Sequence, residues 1–324
     1  MRLIASLACL GTLIGASVAA AQTADDFPNK TITITNLYAA GGGTDVVARA
    51  IGQKLTEKWK VPVIIESKPG AGGTIAAAYV ARQPADGYSL FVTDVSFSIV
   101  PSMYTKLTYD PLKDLVPLSL LCTVTQALTI NPEALSVDTV KELVEAAKKN
   151  PNKLTYASAG VGSLTHVGAE MFKKSAGVDI QHVPYRGAVP AITDVVAGRI
   201  NMYFGALATP LPQIETGKLR ALAVMQNHRS PLLPNVPSIV EAGYPDLDFG
   251  AYYGIFAPAG TPKAVLEKLA AGIKEALSTP EVKKTLDMLA TEAVGEGPDQ
   301  FAAFLQKDIE RWRKVVQAAG VPLN

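Results

Sequence analysis

Cysteine, histidine and net charge are all scarce in this 324-residue chain, and each shortage removes a class of protein. Two cysteines and three histidines leave little material for a metal cluster or a disulfide scaffold. Thirty basic residues against 29 acidic ones give a near-neutral molecule without the electrostatic footprint of a nucleic-acid or anionic-lipid binder. Long apolar runs are missing after the first residues, so no later segment is suited to cross a membrane. Nucleotide fingerprints are missing as well. No Lys-Ser or Lys-Thr follows a spaced glycine pair, and GGGTD at 41–45 lacks the spacing of a dinucleotide turn, which disfavours phosphoryl transfer. No GxSxG elbow surrounds any serine.

The single apolar stretch, LIASLACLGTLIGASVA, follows Arg2 and ends in AAA before Gln22. It reads as a secretory signal over residues 1–21, cut after Ala21. An uncleaved anchor is the alternative, and the short core studded with small residues argues against it. Cys9 lies within the segment and lacks a Leu three residues before it, so lipid attachment is not indicated. Removing the segment takes away Arg2 and Cys9. Basic and acidic residues then balance at 29 each, and Cys122 is left alone, so no intrachain disulfide can form in a compartment that would permit one. Within LSLLCTVTQALTI, Cys122 reads as a small buried hydrophobe.

Short β-branched runs alternate with helical patterns along the rest of the chain. TITITNLY precedes a helix whose Ile51, Leu55 and Trp59 recur every four residues, and VPVIIES, a helix through TIAAAYVARQ and SLFVTD follow. The alternation restarts after residues 131–132 with helices near VDTVKELVEAAKKN, HVGAEMFKKS and AITDVVAG between strands KLTYAS, IQHVPY and INMYFGAL. FGAYYGIFAP gives one more strand, and two helices, near 262–278 and 298–318, close the chain. This is an α/β protein with room for two lobes, each a mainly parallel sheet flanked by helices.

One device recurs. TITITNLY runs through AAGGGTD into a helix, and KLTYAS runs through AGVGS into another. First-turn amides of a helix have no intrahelical acceptor, and the dipole makes that end positive. A glycine-rich corner there admits an anion's oxygens to bare amides, while Thr44, Ser158 and Ser163 offer hydroxyls. Ordinary turns into helices use the same residue types, so either corner alone is weak evidence. A third glycine corner, KPGAGGT at 68–74, and the polar strand end TDVSFS at 93–98 strengthen the case. Asp45 is better placed to cap helix amides than to meet an anion.

Catalytic constellations are weak. Ser163 and His166 sit three apart at a helix start, which suits a cap better than a nucleophile and base, since no orienting carboxylate is evident. His166 and Glu170 have the i, i+4 spacing of two metal ligands without a third, and neither a metal nor a cofactor is expected. His182 reads as an edge-strand side chain.

The ordered blocks YAAGGGTDVVAR, ESKPGAGGTIAAAYVARQPADGYSL, YASAGVGSLTHVGAEMF, HVPYRGAVPAITDVVAGRI, GKLRALAV and VPSIVEAGYPDLDFGAYYGIFAPAGTP cover most of the chain. In them it resembles the extracytoplasmic solute-binding proteins of tripartite tricarboxylate transporters, the Bug family. The resemblance implies a periplasmic, two-lobed venus-flytrap fold of the type II periplasmic-binding-protein class. Lobe one would hold residues 22–122 plus 250–324 and lobe two residues 123–249, with crossings near 120–130 and 245–255. It further implies a binding protein rather than an enzyme, acting as a monomer, that passes a small carboxylate to the membrane subunits of a transporter. The glycine corners would be the two jaws of a carboxylate clamp: Tyr38, Ala40, Gly41, Gly42, Gly43, Thr44 and Asp45 on one side, and Ser158, Gly160, Gly162, Ser163 and His166 on the other. Thr93 and Ser96 would contribute from the polar strand end, and Arg186, Tyr203, Phe204 and Gly205 would shape the remainder. Leu37 and Ala40 stand where relatives commonly have proline. Gly205 stands where many relatives place an Asp, which leaves room and argues against an amino-acid ligand. With Arg186 the one nearby cation, a mono- or dicarboxylate fits better than a tricarboxylate, and Tyr38, Tyr203 and Phe204 suit an aromatic or aliphatic body. Two other classes stay open: a periplasmic ligand-sensing module for a two-component system, and a secreted serine hydrolase using Ser163 and His166.

Overall fold

A computed structural model describes residues 26–247 and 250–320, so the 1–21 signal segment with Cys9 lies outside the described residues. Strands β1 (Ile32–Asn36), β2 (Val63–Ser67), β3 (Ser89–Asp94) and β4 (Leu115–Val124) begin a first sheet. Strands β5 (Gln126–Ile130), β6 (Thr155–Ser158), β7 (Gln181–Pro184), β8 (Met202–Ala206) and β9 (Arg220–Val224) form a second, and β10 (Ala251–Pro258) and β11 (Thr291–Glu296) return to the first. The sheet orders are β11-β4-β10-β3-β1-β2 and β7-β6-β8-β5-β9.

Both sheets are mixed, which corrects the expectation of mainly parallel sheets. Neighbours reached through a crossover helix run parallel: β1 with β2 and β3, and β6 with β7 and β8. Strands beside the interlobe crossings run antiparallel: β10 with β3 and β4, and β5 with β8 and β9. The chain passes from β4 to β5 through Thr125 alone, with no helix to turn it back, so the neighbours of these strands need not share their direction.

Helix Gly43–Trp59 shows how the layers form. Val47, Ala48, Ile51 and Leu55 are fully buried against the sheet, the stripe expected of a helix with apolar residues every three to four positions. Three helices follow β10, at Lys263–Ser278, Pro280–Met288 and Pro298–Ala319, where the sequence pattern suggested two. Pro280 opens the extra helix at its first position, where a missing N–H costs nothing. The last helix packs on β4 of the first lobe and on helix Leu164–Ala176 of the second. Cys122 is fully buried, which pushes its thiol up to about 12. No helix among the described residues is long and apolar enough to cross a membrane.

Candidate functional site

The two glycine corners meet between the lobes, and they differ. At the first, Asn36 at the end of β1 organises the turn: its Nδ2 donates to the Tyr38 carbonyl (2.9 Å) and its Oδ1 accepts from Thr44 Oγ1 (2.8 Å). Gly41 N donates to Asp45 Oδ2 (3.0 Å), which also takes Arg49 Nε (2.9 Å), so Asp45 faces back into its own turn. Gly42 caps the helix without a side-chain acceptor. The amides of Gly43, Thr44 and Asp45 therefore have no acceptor among the described residues.

Most amides of the second corner are taken by its own side chains. Ser163 caps helix Leu164–Ala176, accepting from His166 N (3.3 Å) and donating to the Gly160 carbonyl (2.6 Å). Ala159 N donates to Thr165 Oγ1, Gly160 N to Ser158 Oγ and Gly162 N to His166 Nδ1. Ser158 Oγ in turn pairs with His182 Nε2 (2.6 Å). His182 is stacked between Tyr156 and His166, at centroid distances of 4.8 and 4.3 Å. Burial holds both histidines below their ordinary range, His182 at about 3, so both are neutral. Gly160 and Gly162 have φ of 129° and 81°, a region that favours glycine.

A narrow cavity of about 30 Å³ lies between the lobes. Gly42, Gly43 and Thr44 line it at the helix start, Leu164 and Thr165 face them from the second lobe, and Asp94, Gln126, Tyr203, Thr209 and Tyr253 complete its polar wall. A Cβ on Gly43 would overlap the Tyr253 phenol oxygen, so that phenol lies directly over the helix start. The Tyr203 and Tyr253 phenols and the Gln126 side-chain amide have no hydrogen-bond partner among the described residues, although Gln126 is only 5% exposed. Thr209 Oγ1 is buried without a partner. Unsatisfied polar groups turned on a shared space are what a polar ligand completes.

Of the residues the sequence singled out, Tyr38, Gly42, Gly43, Thr44 and Tyr203 line this cavity. Ala40 and Gly41 are exposed at the edge of the turn. Ser158, Gly160, Gly162, Ser163 and His166 build the second corner from behind and leave the cavity to Ala159, Leu164 and Thr165. Thr93 is buried away from it and donates to the Asp94 carbonyl. Ser96 bridges the lobes, accepting from Leu164 N (3.2 Å) and pairing with Tyr38 OH (3.0 Å). Arg186 is exposed and contributes its carbonyl, which accepts from Ala39 N (3.1 Å). Phe204 turns into the lobe-two core against Phe172 (5.2 Å). Gly205 leaves no vacancy for a ligand: a Cβ there would overlap the ring of Tyr203, which fills that space. The third glycine corner is an interlobe contact, since a Cβ on Gly72 would come within 2.8 Å of the Val161 carbonyl oxygen.

Sequence reasoning passed over Asp94, Gln126, Thr209 and Tyr253. Asp94 was within reach, because strand alternation sends it to the face opposite Thr93. It accepts from Ser96 N (2.9 Å) and Tyr38 OH (3.2 Å), and burial raises its pKa.

Residues 47–321 match the model of the tripartite tricarboxylate transporter family receptor. The fold is similar to the periplasmic binding protein BugD (TM-score 0.89, 31% identity, covering 92% of this chain and 100% of that one). It is similar also to an R. palustris protein solved with adipate (TM-score 0.88, 31% identity, 92% and 100% covered). A third likeness is MatC from Rhodopseudomonas palustris with bound malate (TM-score 0.86, 32% identity, 90% and 100% covered).

Proposed function

The chain belongs to the tripartite tricarboxylate transporter receptor family, periplasmic solute-binding proteins rather than enzymes, and from that premise we propose that it captures a small mono- or dicarboxylate between its lobes. One carboxylate sits at the start of helix Gly43–Trp59, against the amides of Gly43 and Thr44, with the phenols of Tyr203 and Tyr253 as further donors. Tyr38 closes the side of the site. Delivery of the ligand to the membrane subunits of a tripartite transporter, action as a monomer, and export by a cleaved segment over residues 1–21 belong to the same reading.

The observation that carries it is a helix start with free amides opening onto a cavity whose other buried donors are also unpartnered. A carboxylate satisfies them without a lysine, because each charge-assisted hydrogen bond contributes about 1.5–3 kcal/mol. Several of them reach the roughly 8 kcal/mol of micromolar affinity. Relatives of this fold have been solved with adipate and malate, which fits this ligand class.

A thermal-shift screen of ligand-stripped protein against mono-, di- and tricarboxylates and their amides, followed by calorimetry, tests the reading. Carboxylates should raise the midpoint and their amides should not. Gly42 has open space beside it, the nearest atom to an added Cβ being the Ala39 carbonyl oxygen at 4.0 Å. Gly42→Val should therefore fold, fill the anion seat and abolish binding. Full affinity in that variant would move the ligand elsewhere.

A further inference from the structure

We propose, resting on the carboxylate reading, that the cleft selects a zwitterion: an acid whose second polar group is an ammonium, with the Asp94 carboxylate as the partner of that cation.

Asp94 is the one charged residue on the cavity wall; no Lys, Arg or His lines the space, and no cation pairs with Asp94 among the described residues. A carboxylate partly withdrawn from water, as the half-buried Asp94 is, gains from a positive group beside it, and here the protein supplies none. The hydrogen-bond directions make Asp94 an acceptor. Tyr38 O–H donates to Oδ2 and Ser96 N–H to Oδ1, while Ser96 Oγ accepts from Leu164 N–H and shares a hydrogen bond with the Tyr38 hydroxyl. The two donors favour the ionised form, against the burial that raises the pKa of the group, and each carboxylate oxygen has capacity for a further donor.

The cavity is therefore dipolar. Its positive end is the start of helix Gly43–Trp59 and its negative end is Asp94. An acid bearing an ammonium group matches both ends. A dicarboxylate would set its second charge in a cavity that holds Asp94 and no cation, where like charges repel through little screening. Tyr38, Tyr203 and Tyr253 line the same space, and aromatic rings attract ammonium groups. Asp94 supplies from lobe one the carboxylate that Gly205 lacks in lobe two, which reverses the argument from Gly205 against an amino acid.

Calorimetry on protein stripped of ligand by unfolding and refolding tests this with four acids of one length: butyrate, 4-hydroxybutyrate, 4-aminobutyrate and succinate, together with α-amino acids of similar size. An ammonium acid should bind tightest. Asp94→Asn keeps the shape and an acceptor for Tyr38. It should weaken ammonium acids by about 10- to 100-fold, the worth of a charge-assisted hydrogen bond, and shrink their lead over butyrate and succinate. Ser96→Ala breaks the same interlobe chain without touching the charge, and should weaken all acids alike. Succinate binding more tightly than every ammonium acid, or an Asp94→Asn variant with unchanged selectivity, overturns the proposal and leaves carboxylate capture standing. Refolded protein that binds no acid at all sinks both.

Discussion

Gly43 has a hydrogen where any other residue would put a methyl group into the phenol oxygen of Tyr253. The hinge-side strand β10 fixes Tyr253, so the clash cannot relax by moving the backbone alone. Gly43→Ala should cost about 1–3 kcal/mol of stability by overpacking, read as a lowered urea midpoint, and should displace the phenol from the anion seat. Tyr253→Phe removes the overlapped oxygen, so the double variant should recover part of that loss. Additive losses instead would show that the two residues do not share the site. The same residue-level view explains what the sequence made legible. Glycines at a strand-to-helix corner announce bare amides, so Gly42, Gly43 and Thr44 could be read. Tyr203 and Phe204 adjoin in sequence, and only the register of β8 decides that one meets the cavity and the other the core. Gln126 and Tyr253 come to the site through the crossings, a tertiary effect that no local pattern carries.

The second corner is an element held by its own side chains, and the neutral histidine column is its brace. His182 meets Ser158, Tyr156 and His166, while Glu170 is engaged by Tyr156 OH (2.6 Å) and Lys173 (2.9 Å), and Lys173 disfavours a second positive charge nearby. The folded pKa of about 3 lies below the usual 6.5, so between these values the unfolded chain binds a proton that the folded protein does not. That contribution is whole above pH 6.5 and is lost as pH falls toward about 3. Melting temperature should accordingly drop across that window more steeply in wild type than in His182→Asn, which cannot take up the proton. Identical slopes would deny His182 the role. Equivalence of the two corners was the natural reading of two similar strings, GGGTD and GVGS. It fails because the second corner carries Ser158, Ser163, Thr165 and His166, whose side chains take the amides of Gly160, His166, Ala159 and Gly162 before a ligand could.

Across the whole molecule, the lobes meet where the last helix packs on helix Leu164–Ala176 and through polar contacts: Ala39 N to the Arg186 carbonyl, Leu164 N to Ser96 Oγ, and Tyr104 OH to the Val161 carbonyl (3.0 Å). The chain runs between lobes at Thr125 and again between β9 and β10, so the two sheets can part about these segments without breaking a ladder. Each latch exists only while the lobes are together. It therefore raises apparent affinity by stabilising the binding-competent state, without touching the ligand. Tyr104 is the cleanest probe, because its ring lies off the cavity wall and its hydroxyl makes a single bond across the lobes. Removing one neutral hydrogen bond worth about 0.5–1.5 kcal/mol should weaken every ligand by the same roughly 2- to 13-fold in Tyr104→Phe. The loss should fall mainly on the dissociation rate, as the closed complex reopens sooner. Stopped-flow fluorescence with two chemically different acids separates the cases: equal factors for both place Tyr104 in closure, whereas a factor that depends on the acid would put its hydroxyl in the site itself.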